Sequence, residues 1–442
     1  MREDKHALVR SLGLLEATAL NMSNMVGIGP FITIPLIIAA MGGPQCMIGW
    51  AIGTVIAVSD GLVWAELAAA MPGVGGTFLY LKESLAGTRV GRLIPFLFVW
   101  QFVFSGPLEI ASGYIGFAQY VSYFWRDMGP WETRAVAAGA GVLVTAMLYR
   151  NIRSIGRLTL ILWAGMLLTV VVMIAAGIGR FDARIAFDFP PDAFQLSRGF
   201  FLGLGGAMLI AMYDFLGYYD VCLVAGEVRE PARVIPKAIL ISVVAVAAIY
   251  AVMNLAIMGV VPWREAMQSK FIAAEFMERA VGGWAAPAVT ILILWTSLAS
   301  CFALTLGSSR IPYAAAVDGF FFRSFGKLHE RGRFPTVSVL VMGGLSIAAS
   351  VLPLEAVLPA LMTARILAQF LAQIAAVHWL RTRRPDIERP FRIWLYPLPA
   401  VLAFAGWCYI FATSGWMYVL YGLATLAAGL AAFAIWRRIE SI

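Results

Sequence analysis

Glycine interrupts two apolar stretches of this sequence near their middles, and acidic and aromatic residues border the second interruption. Residues 24–31 read Asn-Met-Val-Gly-Ile-Gly-Pro-Phe, and residues 213–220 read Tyr-Asp-Phe-Leu-Gly-Tyr-Tyr-Asp. A helix that breaks inside a bilayer leaves N–H and C=O groups unpaired, at a cost of several kcal/mol for each group. Such breaks persist where a ligand, an ion, water or neighbouring protein supplies the missing partners. The pattern therefore predicts the substrate site of a membrane carrier.

The first interruption offers backbone groups of both polarities. Pro30 suits the first turn of a new half-helix, because its missing N–H would be unpaired there anyway. The amides near Ile28 and Gly29 then point into the gap, where the positive end of the half-helix favours a carboxylate. The carbonyls near Met25 favour an ammonium group or a cation. A zwitterionic amino acid fits both, although a glycine-proline kink for close helix packing is the alternative.

The second interruption supplies the side chains. Asp214 is predicted either to neutralise a substrate ammonium or to cap the N-terminus of the following half-helix. Asp220 lies further along the chain, where a structural or gating contact is favoured. Tyr213 and Phe215 sit at the break, where they either close over a substrate or simply pack.

Few other charges fall inside the apolar stretches, and each is costly there. Glu109 is predicted to be a proton-carrying or cation-binding carboxylate, or an acid that hydrogen-bonds between helices. Burial disfavours the charged form of a carboxylate, which suits proton coupling. Asp60 and Arg365 are predicted to form a gate or an internal ion pair.

The composition assigns the chain to the bilayer. Of 442 residues, 61% are hydrophobic and 13% are charged, whereas a soluble domain carries about 25% charge. The net charge of +8 does not indicate nucleic-acid binding, because the basic residues fall in alternate loops. No ATP-binding motif, metal-ligand spacing or catalytic constellation is evident, so the sequence predicts no enzyme activity and no cofactor.

Twelve stretches are long and apolar enough to be predicted spans of about 20 residues. Lys and Arg are about three times as frequent at one set of span ends, for example Arg2, Lys5 and Arg10 before the first span, which places both termini in the cytoplasm. The predicted protein is thus a multi-pass component of the cytoplasmic membrane. The spans cover residues 14–40, 45–70, 91–123, 135–150, 155–178, 199–226, 235–261, 284–316, 335–352, 355–380, 393–413 and 416–437.

The breaks fall in the first and sixth spans, which divides the single transmembrane domain of residues 1–442 into two units. Repeat one covers residues 14–178, repeat two covers residues 199–380, and two extra helices occupy residues 393–437. Five spans are an odd number, so the second unit enters the membrane inverted relative to the first. The two broken helices then meet at the midplane.

Several motifs along the chain resemble those of the amino acid–polyamine–organocation superfamily. The run Gly-Ile-Gly-Pro-Phe at residues 27–31 is similar to its first-helix glycine motif. The run Ala-Glu-Leu-Ala at residues 65–68, with Pro-Gly-Val-Gly-Gly at residues 72–76, is similar to the run that enters its first cytoplasmic loop. Residues 225–238 are similar to the signature after helix six, and residues 309–319 and 389–392 match weaker ones.

This resemblance implies an all-α, leucine-transporter-like fold with the substrate between helices 1 and 6, flanked by helices 3, 8 and 10. In such relatives the first-helix amides hold the substrate carboxylate and the helix-six carbonyls help to hold the amine. Carried over by position, the resemblance nominates Gly27, Ile28, Gly29, Tyr213, Phe215 and Gly217.

Two departures leave the substrate open. Ile28 and Pro30 remove a hydroxyl group and an N–H donor, which weakens the expected grip on a carboxylate. The Gly-Pro-Phe and Tyr-Tyr-Asp motifs also resemble those of the polyamine-uptake branch, whose substrates have amines and no carboxylate. The coupling ion is open as well: Met166 stands where many sodium-independent relatives have a lysine, and a sodium site is possible at Thr296, Ser297 and Ser300.

The favoured prediction is a secondary active amino acid carrier that works by alternating access, coupled to an ion, preferably a proton, or running as an exchanger. A carrier of polyamines or organic cations is the alternative. A non-transporting sensor and an intramembrane enzyme are disfavoured.

Overall fold

The computed structural model describes residues 12–149, 152–329 and 334–440, and these residues form helices and no strands. The basic cluster at Arg2, Lys5 and Arg10 lies outside them. The α-helices are α1 Leu14–Met25, α2 Gly29–Met41, α3 Met47–Ala70, α4 Thr77–Ser84, α5 Leu93–Val121, α6 Pro130–Leu148, α7 Ile152–Ile178, α8 Ala183–Ala186, α9 Arg198–Phe215, α10 Asp220–Leu223, α11 Pro231–Met258, α12 Trp263–Ala266, α13 Ile272–Ala280, α14 Ala285–Ser308, α15 Arg310–Val317, α16 Thr336–Ala349, α17 Leu354–Arg365, α18 Ala372–Arg383, α19 Leu398–Thr413 and α20 Trp416–Glu440.

Seven helices in the described part of the chain are long and apolar enough to cross a membrane. The bent pair α1 and α2 makes an eighth span. Each of the twelve predicted spans contains a helix or a pair of helices. The remaining segments are shorter or less apolar, so the multi-pass, all-helical class is confirmed and the count of twelve stays a prediction.

The helices differ in how much of their surface other helices cover. The most apolar window of residues 354–383, which contains α17 and α18, is 72% buried, and the corresponding window of residues 416–438 in α20 is 17% buried. The long helix α5 packs against α6, α14, α16 and α17, and α3 packs against α9, α11 and α19. These two long helices each pack against several other spans.

The first predicted break is present. Helix α1 ends at Met25, α2 begins at Gly29, and their axes differ by 47°. Pro30 occupies the first turn of α2, as the sequence predicts. Gly43 and Pro44 follow the end of α2 and lead into the next span.

The second break is present too, but the half-helix that follows it is shorter than predicted. Helix α9 ends at Phe215, and Gly217 has φ +108°, a conformation that favours glycine. Helix α10 then has only four residues and is followed by a 3₁₀ turn at Ala225–Glu227.

A third irregularity was not predicted. A π-helical segment, Ile366–Leu371, separates α17 from α18 inside the tenth predicted span and follows Arg365 directly. Such segments are rare, and they frequently mark functional sites.

Candidate functional site

A small cavity lies between the two breaks and the middle of α5. Its volume is about 20 Å³, which is room for about one water molecule. The cavity is therefore too small for an amino acid, and a larger solute requires the helices to separate. The lining residues come from α1, α2, α5, α9 and α14 and the adjoining breaks: Asn24, Met25, Gly27, Ile28, Gly29, Glu109, Ser112, Gly113, Tyr213, Asp214, Leu216, Ser300 and Leu304.

One wall of the cavity is the start of α2. The N-cap residue of α2 is Ile28, whose side chain cannot accept a hydrogen bond from the first amides of the helix. The Asp214 carboxylate lies against this helix end, because a Cβ atom added to Gly29 would be 2.3 Å from Asp214 Oδ1. The other oxygen, Oδ2, accepts a 2.5 Å hydrogen bond from the hydroxyl of Thr33. A carboxylate of the protein thus stands beside the helix end predicted for the substrate carboxylate.

Asp214 does not cap the half-helix after the second break, which was one of its two predicted roles. It lies in the last turn of α9, and no side chain caps the N-cap residue of α10, Tyr219. The role of ammonium partner stays a prediction.

Side chains already satisfy several backbone groups that the breaks leave free. The Tyr250 hydroxyl of α11 lies 2.5 Å from the carbonyl oxygen of Met25 and 3.0 Å from that of Asp214. Asn21 donates to the carbonyl of Tyr218 and accepts from the amide of Val221, at 2.6 and 2.9 Å. Neighbouring protein therefore supplies some of the missing partners at both breaks.

Glu109 borders the cavity and forms a buried ion pair. Its Oε2 lies 2.6 Å from Nη2 of Arg365, and the two side chains are 8% and 2% exposed. Arg365 also donates to the Tyr219 hydroxyl at 3.0 Å, and its guanidinium lies 5.0 Å from the centre of the Phe102 ring. Each of these buried charges is costly by itself, and the pairing offsets part of that cost.

Asp60 does not pair with Arg365, so an ion pair between these two residues is not observed. Its carboxylate accepts hydrogen bonds from the Tyr218 hydroxyl at 2.5 Å and from the indole N–H groups of Trp64 and Trp407 at 3.0 and 3.4 Å. Asp60 therefore links α3, the second break and α19.

Asp220, the other candidate for gating, accepts a hydrogen bond from the side-chain amide of Asn24. This contact joins the end of α1 to the start of α10. The structural or gating role that the sequence favoured for Asp220 stays a prediction.

Phe215 and Gly217 do not line the cavity. The Phe215 ring packs against Trp50 and Tyr250, with centroids 6.0 and 5.5 Å apart. A Cβ atom on Gly217 would lie 2.7 Å from Cβ of Asn24, so this glycine allows the two breaks to pack closely. Their nomination as substrate contacts finds no support in this conformation.

Tyr213 lines the cavity, and its hydroxyl lies 2.7 Å from that of Ser112 on α5. The Ile28 side chain points towards α5, since a Cβ atom on Gly116 would lie 3.1 Å from Ile28 Cδ1. Ile28 is thus held by packing against α5, and its carbonyl oxygen accepts a hydrogen bond from the amide of Phe31 at 3.0 Å.

The three hydroxyl residues considered for sodium have different surroundings. Thr296 donates to the carbonyl of Leu292 at 2.8 Å, and Ser297 donates to the carbonyl of Gly113 at 3.0 Å. Ser300 lines the cavity opposite Gly27, where an added Cβ atom would be 2.4 Å from its hydroxyl oxygen.

Two backbone hydrogen bonds join separate segments at the end of the molecule that is predicted to face the cytoplasm. The amide of Leu12 donates to the carbonyl of Glu227 at 2.9 Å, and the amide of Arg229 donates to the carbonyl of Leu12 at 2.8 Å. This backbone pairing ties the segment before α1 to the segment after the second break.

Sequence reasoning missed Asn21, Thr33, Ser112 and Tyr250. Asn21 had a signal, because it is a polar residue one turn before Asn24 in an apolar stretch. Thr33 and Ser112 are hydroxyl residues inside helices, which are common in spans. Tyr250 is an isolated tyrosine in an apolar helix, and only the tertiary structure brings it to both breaks.

The residues of both breaks and of the cavity lie within a region that is similar to known proteins. The sequence profile of the amino acid permease family matches residues 12–433, which include both breaks and every residue that lines the cavity. The chain belongs to the amino acid permease family. The resemblance to the wider superfamily is confirmed, and the function is transport, not an enzymatic reaction.

The permease is similar to transporters from bacteria and mammals. An uncharacterized transporter of Mycobacterium tuberculosis is 32% identical over 78% of this chain and 74% of its own length. The branched-chain amino acid permease of Bacillus subtilis is 23% identical over 98% of this chain and 94% of its own length. The human cystine/glutamate transporter is 26% identical over 91% of this chain and 80% of its own length.

Proposed function

We propose that this permease is a secondary active transporter that carries amino acids across the cytoplasmic membrane by alternating access. The observation that carries the proposal is the shared cavity: both helix breaks open onto it, and the start of α2 has no side-chain cap there. The helix end favours the substrate carboxylate. Named relatives carry branched-chain amino acids and cystine or glutamate, so amino acids of several kinds are the first substrates to test.

A buried acceptor awaits the substrate ammonium. Asn24 lines the cavity, and its side-chain oxygen Oδ1 is buried with no hydrogen-bond partner among the described residues. Its Nδ2 donates to Asp220, which fixes the orientation of the amide. The helix end and Asn24 thus offer one contact for each charged group of a zwitterion.

Transport requires the closed site to open to each side in turn. We place the moving parts at the two broken segments, with α3 and α11, and assign the inverted repeat of residues 14–178 and 199–380 as the basis of the motion. Opening towards the predicted cytoplasmic side separates Leu12 from Glu227 and Arg229. A proton is the favoured coupling ion, with the cavity carboxylates Glu109 and Asp214 as candidates to carry it.

One observation favours a second candidate function, the transport of polyamines or other organic cations. Among the residues that line the cavity, two are carboxylates and none is Lys, Arg or His. An acidic site suits a substrate that carries amines and no carboxylate.

Counterflow in proteoliposomes tests both candidates. Vesicles loaded with one unlabelled compound are exposed to the same compound with a label, for L-leucine, L-arginine, L-glutamate, L-cystine and putrescine. Counterflow of at least one amino acid is expected, and counterflow of putrescine alone overturns the first proposal in favour of the second. Binding with no flux of any compound indicates a sensor.

A further inference from the structure

Two buried carboxylates border the cavity, and their surroundings are opposite. Glu109 has a guanidinium 2.6 Å away, whereas Asp214 contacts only an uncharged donor, the hydroxyl of Thr33. The second oxygen of Asp214 is buried and accepts no hydrogen bond from the described residues. Glu109 therefore has a fixed counter-charge, and Asp214 has none.

The position of Asp214 matters as much as its missing partner. Its unbonded oxygen, Oδ1, lies beside Gly29 at the start of α2. The proposed function assigns this helix end to the substrate carboxylate. An arriving amino acid would bring a second carboxylate to the same helix end. Two carboxylates that share one site do not both stay ionised, so one of them takes up a proton.

We propose that Asp214 takes up a proton when the permease binds an amino acid and releases it on the opposite side, so that one proton accompanies each substrate. This inference rests on the proposed amino acid transport and assigns its coupling residue. Protonated Asp214 has an O–H group that can donate to the substrate carboxylate, whereas ionised Asp214 repels it. Substrate affinity and proton uptake are then linked through the contact between the Asp214 carboxyl group and the substrate carboxylate.

The other titratable groups near Asp214 are already engaged. Tyr213, on the same helix, shares a hydrogen bond with Ser112, and Tyr250 of α11 directs its hydroxyl to two backbone carbonyls. From α5, Glu109 is held by Arg365 of α17. Helix α2 presents Thr33, and α3 presents the indole of Trp50, which packs on Phe215. Asp214 is the group in this set whose charge is free to change.

The test measures amino acid binding to the purified permease in nanodiscs between pH 5 and pH 8. The probe is the labelled panel amino acid with the strongest counterflow. In the wild type, the dissociation constant is expected to rise towards tenfold per pH unit above the midpoint of proton binding. Asp214→Asn is expected to remove this slope and to abolish proton uptake that accompanies the amino acid in proteoliposomes.

A second variant tests the same group without removing it. The Thr33 hydroxyl stabilises the ionised form of Asp214, so Thr33→Val is expected to move the midpoint of the binding curve to higher pH. A purely structural role for Asp214 would not produce this shift. Asp386→Asn, at an exposed carboxylate in the loop after α18, is the matched control and should leave the curve unchanged.

The outcomes separate the inference from the function on which it rests. The inference is overturned if the pH slope of binding persists in Asp214→Asn. It is also overturned if wild-type binding does not vary with pH and is lost in Asp214→Asn, which would make Asp214 an ammonium ligand. If Asp214→Asn does not fold, an unshifted Thr33→Val curve overturns it equally. Failure of the proposed function looks different, because the wild type then binds none of the panel amino acids.

Discussion

The second helix break is held by many side chains, whereas the start of α2 at the first break is bordered by a single carboxylate. Asn21, Asp60, Arg365 and Tyr250 all hydrogen-bond to residues 214–221, from four different helices. At the first break, α2 has no side-chain cap, and Asp214 lies beside Gly29. Two interruptions with similar sequence patterns are thus closed by different means.

The difference indicates that the two breaks have different roles in the site. A buried polar group without a partner costs roughly 1–3 kcal/mol, so the bonds to backbone groups and tyrosine hydroxyls at the second break stabilise its irregular shape. The uncapped helix end at the first break keeps binding capacity for a solute. We infer that the second break is chiefly the structural connection of the site and the first is chiefly its binding surface. Three substitutions test this division.

The largest effect is expected at the ion pair that anchors Tyr219 of the second break. Arg365→Met leaves Glu109 buried without its counter-charge, which should lower the free energy of unfolding by about 3–5 kcal/mol. Thermal melting of the purified protein in detergent measures the loss. The double variant Glu109→Gln with Arg365→Met should recover most of it. Equal melting temperatures for the single and double variants would show that the pair is not what stabilises this region.

A smaller effect is expected where the two breaks touch. Gly217→Ala places a methyl group 2.7 Å from Cβ of Asn24 on a backbone with φ +108°, which should cost about 1–3 kcal/mol. Gly344→Ala in α16 is the matched control, because a Cβ atom there meets nothing within 4 Å. If the two alanine variants melt at the same temperature, the close packing of the breaks does not contribute to stability.

The smallest effect is expected from one hydroxyl group. Tyr250→Phe keeps the ring contacts with Trp50 and Phe215 but removes the donor shared by the carbonyls of Met25 and Asp214. A loss of about 1 kcal/mol is expected by the same melting assay. An unchanged melting temperature would mean that water replaces the hydroxyl, and the two breaks would then be more alike than the structure suggests.

Much of the fold was predictable because the hydrocarbon core of a bilayer allows few backbone structures. A segment of about 20 apolar residues has few alternatives to a membrane helix, so the multi-pass class followed from composition and length. Both breaks followed from glycine and proline in such segments, and α2 begins with Pro30 in its first turn as predicted. The extent of the half-helix after Gly217 did not follow, since four-residue helices carry little local signal.

The site was only partly predictable. Proximity to a break was a usable guide to Met25, Gly27, Ile28, Gly29, Tyr213 and Asp214, which all line the cavity. Glu109 lines it too, and its signal was a rare charge inside an apolar stretch. The partner of Arg365 was predicted wrongly, since the sequence suggested an ion pair with Asp60 and the structure pairs Arg365 with Glu109. Distances between helices decide such pairings, and no sequence spacing records them.

By itself, the sequence determined that the chain lies in a membrane, that two of its helices are interrupted, and that a few charges are buried. Hydrocarbon tolerates unpaired backbone groups and charges so poorly that these features show in the residue types alone. Only the tertiary structure decided which buried charge is neutralised and which is left beside a helix end. Glu109 meets Arg365 and Asp214 does not, because a counter-charge acts over a few ångströms, and only folding sets such distances.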